Sequence, residues 1–172
     1  KTSFVFQDLG FVGEKVSNII LDYAAGIDEA VQHLVSLGHK KIVHIGGAHE
    51  IYSAGVRWEA FVEAVKKHLP DEPEPKIYEG DFRFEGGRLA ASQILAEKDL
   101  PTAVVVANDL MALGAMQEFK AAGLRVPQDI SIIGFDDISF SSLSEPALTT
   151  VNSPRVEIGR RAVEALMLTV DK

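Results

Sequence analysis

Short apolar runs alternate with longer amphipathic stretches along the whole chain. Thr2 to Gln7 carries Phe4, Val5 and Phe6, which predicts a short strand, and Val16 to Asp22 is a second apolar run. Ile27, Ala30, Val31, Leu34 and Val35 share one face at helical spacing. They predict a helix over about 24–37, stopped by Gly38. Lys41 to Ile45 predicts a strand closed by Gly46-Gly47. A helix to about Leu69 follows, with Ser53 as its N-cap and Phe61, Val62 and Val65 inward. The prolines between Pro70 and Pro75 forbid its continuation. Ile77 to Glu79 predicts a short strand, and Gly86 to Lys98 a helix. The runs TAVVVA (102–107) and ISIIGF (130–135) lack polar alternation, as strands buried on both faces do. Between them a helix opens at Asn108-Asp109 and ends at Gly123. A polar loop over 138–146, a strand near 148–152 and a helix from 154 or 155 to about 168 complete the order. Alternating strands and helices imply an α/β fold, with doubly wound parallel sheets joined by right-handed crossovers.

Composition narrows the function classes. The 172 residues are 47% hydrophobic and 24% charged, which is globular. Seventeen basic residues against 25 acidic ones leave a net charge of −8, so this stretch is not expected to hold a phosphate backbone by itself. The absence of cysteine removes disulfides, thiolate metal sites and cysteine nucleophiles, and fits a reducing compartment. No apolar run reaches the length of a membrane span, and the first residues do not read as a signal peptide. The five histidines (33, 39, 44, 49 and 68) show no metal-ligand spacing, so neither metal nor cofactor is expected.

Open parallel sheets bind ligands beyond the carboxyl ends of their strands. The residues following each predicted strand are therefore the candidates: Gly46, Gly47 and His49; Asp81 and Phe82; Asn108 and Asp109; Asp136 and Asp137; Asn152 and Ser153. Arg57 lies one turn into the helix after His49. Carboxylates, an amide, a guanidinium and an aromatic ring suit a neutral polyhydroxylated ligand. Each also has a plainer reading. Asp109 is a favourable N-cap, which leaves Asn108 as the ligand group. Asp136 is preferred to Asp137, which can cap the next turn. Arg57 can be a solvated helix residue and Phe82 a core residue. The segment Leu110 to Met116 is apolar around its whole circumference, so it is either wholly buried or faces a second subunit, with Phe140 and Leu143 as possible neighbours.

The series LGHKKIVHIGG, Ser53-x-x-x-Arg57, EGDF, TAVVVANDLMALGAM, GLRVPQDISIIGFDD and EPALTTVNSP resembles the effector-binding domain of the lactose-repressor/galactose-repressor (LacI/GalR) family of bacterial transcription regulators. The resemblance implies a two-lobed periplasmic-binding-protein-like fold with the ligand in its cleft. It implies that Arg57 forks onto the ligand, Phe82 stacks on it, Asn108 and Asp136 contact ring hydroxyls, and Ser53 lines the site. It implies a homodimer through Leu113, Met116 and Phe140, a cytoplasmic location, and a small-molecule effector, a sugar or sugar-like metabolite. Two departures leave the sugar open: Ala24-Ala25 offers no carboxylate, and Ser153 to Arg155 lacks the amide and aromatic of some members. Against the family pattern the amino lobe is incomplete, with residues 1–47 and 151–172 as its pieces and 48–150 as the carboxyl lobe. Operator DNA would be bound only through a helix-turn-helix headpiece outside these residues. Two rivals stand beside this reading. One is a periplasmic sugar receptor of a transporter. The other is an enzyme using Asp136-Asp137 to hold Mg²⁺ for phosphoryl transfer, for which no matching lysine, serine or threonine motif is present.

Overall fold

The computed structural model describes residues 3–9, 13 and 15–170. Thr2 of the expected first strand lies outside them, as do residues 171 and 172 of the expected return segment. In chain order the elements are β1 (Phe4–Gln7), β2 (Val16–Ile19), α1 (Tyr23–Ser36), β3 (Ile42–Gly46), α2 (Tyr52–His68), β4 (Ile77–Glu79), α3 (Phe84–Leu95), β5 (Ala103–Val106), α4 (Asp109–Ala121), β6 (Ser131–Asp136), α5 (Ser139–Leu143), β7 (Thr149–Asn152) and α6 (Arg155–Val170).

These elements fall into two units. The smaller comprises the described residues up to Asp22 and from Ser153 onward. In it β1 and β2 pair in parallel, from Phe4 opposite Val16 to Gln7 opposite Ile19, and α6 packs on both strands. The larger, Tyr23–Asn152, is built on five parallel strands in the order β4-β3-β5-β6-β7. Helices cover both faces: α1 packs with α2, and α3 with α4. The runs read as doubly buried strands are so, with Val104 and Val106 fully buried among Ala90, Ile94, Met111, Ala115 and Phe119.

Four expectations are corrected. The first unit does not extend to residue 47. β3 hydrogen-bonds between β4 and β5, so α1 and β3 belong to the larger unit and the division falls after Asp22. Ser53 is not an N-cap: α2 begins at Tyr52, and Ile51 caps it without a side-chain bond. The segment 138–146 is not all loop, because α5 forms within it. Asn108, not Asp109, is the N-cap of α4. Gly38 and Gly123 end α1 and α4 as predicted, with φ of +91° and +88°.

Candidate functional site

From β3 the chain steps outward to β4, then crosses back to β5 and continues the other way through β6 and β7. The strand order therefore reverses between β3 and β5, and a parallel sheet opens a crevice at such a point beyond its carboxyl ends. Every candidate ligand residue comes from this edge: Ser53 and Arg57 from α2 behind β3, Phe82 behind β4, Asn108 behind β5, and Asp136 at the tip of β6.

Arg57 is buried rather than a solvated helix residue, only 6% exposed. Its guanidinium carbon lies 3.9 Å from the Tyr23 ring centroid, 5.3 Å from Phe82 and 5.4 Å from Phe135. The rings' negative faces stabilise the cation where water is scarce. Its Nε is buried and finds no hydrogen-bond partner among the described residues. Phe82 is half-buried, with φ of 64°. Its ring occupies the place of a side chain on Gly47, where a Cβ would come within 2.1 Å of it. The strand-end glycine thus admits the aromatic ring, which packs against the core while its position at the strand ends leaves it half-buried.

Asn108 links these parts. Its Oδ1 accepts from the Met111 backbone N–H at 2.9 Å, and its Nδ2 donates to the Phe82 carbonyl at 2.9 Å. An amide offers two protons and two lone pairs, so one of each remains beyond these bonds. Asp136 sits half-buried at the tip of β6 with φ of 112°, followed by Asp137 at 52°. Asp137 is engaged locally: its Oδ2 accepts from Asn152 at 2.8 Å, and its N–H donates to Thr150 Oγ1 at 3.3 Å. Ser53, half-buried, occupies the second position of α2. Arg57, Phe82 and Asn108 are in direct sequence of contact, and Asp136 follows Phe135, which flanks Arg57.

Two residues escaped the sequence reading. Tyr23, 3% exposed at the start of α1, stacks on Arg57 and tilts against Phe135 at 5.6 Å. The only signal for it was an aromatic residue at a helix start. His44, in the middle of β3, is fully buried, stacks on Phe61 at 5.0 Å and donates from Nδ1 to the Val105 carbonyl at 2.8 Å. Burial lowers its pKa to about 4; the Val105 bond opposes the shift, and the Arg57 charge adds to it. Among the described residues no group of three histidine, cysteine or acidic side chains stands close enough to hold a metal.

A second feature lies on α4 and α5. Leu110, Leu113, Phe140 and Leu143 line an open apolar groove of about 550 Å³. Phe140 and Leu143 are 64% and 76% exposed. Met116 also lines the groove, although it is only 4% exposed and packs on the core, and Leu110 is the more exposed of the two.

A family described as periplasmic binding protein-like domain matches residues 31–172. The chain belongs to that family. This periplasmic binding protein-like domain is 39% identical over 159 residues to the HTH-type transcriptional repressor CytR of Escherichia coli (strain K12), covering 92% of the chain and 46% of that protein. It is 39% identical over 152 residues to the ribose operon repressor of the same organism, covering 88% and 46%. The Lac repressor dimer, solved bound to operator and the anti-inducer ONPF, superposes with a TM-score of 0.82 at 34% identity, over 95% of this chain and 56% of that one. The fold is that of the effector-binding domain of LacI-family regulators. The chain spans about half the length of the relatives it matches. No helix among the described residues is long and apolar enough to cross a membrane.

Proposed function

We propose that this domain senses a neutral, hydroxyl-rich metabolite, a sugar or sugar-like molecule, for a cytoplasmic LacI-type transcriptional repressor. The single observation that carries the reading is Arg57, a guanidinium buried among three aromatic rings at the strand-order reversal. Arg57 forks onto ligand oxygens, and Phe82 stacks on the apolar face of the ring. Asn108 both donates and accepts, Asp136 accepts from hydroxyls, and Ser53 borders the same edge. Binding without transformation suffices for such a role. The ligand shifts the regulator between two conformations by its differential affinity for them. A coupling of about 1–3 kcal/mol changes operator affinity roughly 5- to 150-fold.

The apolar groove on α4 and α5 fits a homodimer built through Leu113, Met116 and Phe140, supported by the dimeric state of the Lac repressor. Operator DNA is contacted by a helix-turn-helix segment of the full protein, as the name of the relative CytR suggests. That the relatives are transcriptional repressors supports reading the site as a sensor rather than an enzyme.

The test uses the full-length protein and its operator. A panel of sugars and nucleosides is screened by thermal shift, and operator affinity is measured with and without each stabilising compound. One compound that raises the melting temperature and changes operator affinity is expected. Operator affinity unmoved by every compound, with no stabilisation, would overturn the proposal.

A further inference from the structure

Asp109 is fully buried and the mechanism above does not use it. As the first residue of α4 it has no capping role, since Asn108 performs that task. Its carboxylate instead reaches across the rim. Oδ2 accepts from the Ile138 backbone N–H at 2.8 Å and from the Ser141 hydroxyl at 2.7 Å, and Oδ1 accepts from the Thr150 hydroxyl at 2.5 Å. Room for it is made by Gly134 on β6, where a Cβ would lie 2.2 Å from Oδ1. The acceptors and donors bracket one short segment. That segment, Asp136-Asp137, holds two successive non-glycine residues at positive φ, 112° and 52°. Such a backbone persists only where its surroundings over-determine it. The bond to Ile138 fixes the segment just after the strained pair. Thr150, held by Asp109, receives the Asp137 N–H from the other side.

We infer that Asp109 is a positioning residue for the ligand site, the buried carboxylate that holds the strained Asp136-Asp137 turn and so sets where the Asp136 carboxylate meets a ligand hydroxyl. The ligand half of this inference rests on the function proposed above; the structural half does not. A carboxylate is suited to the task because it accepts from several directions at once, and hydrogen bonds to a charged acceptor are the stronger ones. An amide at the same place is uncharged, so its bonds to Ile138 and Ser141 lose their charge assistance, and where its NH2 replaces Oδ1 the Thr150 hydroxyl has to accept rather than donate.

Two measurements on the full-length protein separate the halves. Amide hydrogen exchange needs no ligand. In Asp109→Asn, exchange across 136–142 is expected to rise at least about tenfold, while peptides spanning β5 stay unchanged. Ser141→Ala, which keeps the carboxylate and removes one donor, is expected to give a smaller rise in the same peptides and covers the case in which Asp109→Asn does not fold. Unaltered exchange at 136–142 in a folded Asp109→Asn, or in Ser141→Ala when Asp109→Asn does not fold, would overturn the positioning role. The second measurement is calorimetric binding of D-ribose, D-galactose and cytidine. With whichever probe binds, Asp109→Asn is expected to lose affinity about tenfold, yet to lose nothing further when made in an Asp136→Ala background. Independent losses in the two backgrounds would show that Asp109 does not act through Asp136. If none of the probes binds the unaltered protein while the exchange result holds, the sensing proposal loses its support and the role of Asp109 in the turn stands.

Discussion

The two edges of the five-stranded sheet are built from opposite physics. At the amino edge, charges meet in the open. Lys41 pairs with Asp99 at 2.6 Å, with side chains 42% and 88% exposed, and Lys76 pairs with Glu97 at 2.8 Å. At the carboxyl edge the polar groups Arg57, Asn108 and Asp109 are buried. In the larger unit the described non-glycine residues at positive φ, Phe82, Asp136 and Asp137, all stand at that edge. Residues in such conformations cost about 1–3 kcal/mol each and collect where a site must be held in one shape. Solvent-screened pairs thus decorate the amino edge, while the carboxyl edge spends stability on geometry.

The sharpest way to break this contrast is to crowd the carboxyl edge. Gly134→Ala pushes a methyl group into Asp109, which three donors hold in place. A loss of roughly 3 kcal/mol in chemical denaturation is expected. Next in size, Arg57→Ala is expected to weaken ligand affinity about 100-fold, or about 2.7 kcal/mol, with the circular dichroism of the fold retained. Acid gives a third probe. His44 is neutral when folded and its pKa is lowered to about 4 from 6.5, so between those values the unfolded chain binds the extra proton and stability falls with pH. Going from pH 6.5 to about pH 5 is expected to cost about 2 kcal/mol, and His44→Leu is expected to flatten that dependence. The smallest effect belongs to the amino edge: Asp99→Asn is expected to change stability by less than about 0.5 kcal/mol. A loss there as large as that of Gly134→Ala would erase the contrast.

Much of this was legible before folding. Runs such as Ala103–Val106 declare a doubly buried strand because nothing in them wants water, and the strand-end rule then puts Arg57, Phe82, Asn108 and Asp136 on one edge. What escaped was set by contacts distant in sequence. Asn108 and Asp109 are both good caps by type. Their division of labour depends on Thr150, 41 residues beyond Asp109, and on the space left by Gly134. The one-turn helix α5 has no periodicity to read; the bonds from Ile138 and Ser141 to Asp109 help to pin it. The unit boundary at Asp22 rather than at residue 47 follows from β3 lying inside the sheet, which no local pattern announces. An apolar circumference left open whether the helix at Met116 is buried or faces a partner; its packing on the core on one side and its place along the groove depend on elements far away in the chain.

The proposed function requires the carboxyl edge of this sheet to grip a hydroxyl-rich molecule. A crystal structure of the full-length protein, soaked with the compound that stabilises it most, tests this directly. Ligand hydroxyls are expected on Arg57, Asn108 and Asp136, with the Phe82 ring against the sugar face. A ligand seated away from these four side chains, for instance among the lysines of the amino edge, would contradict it.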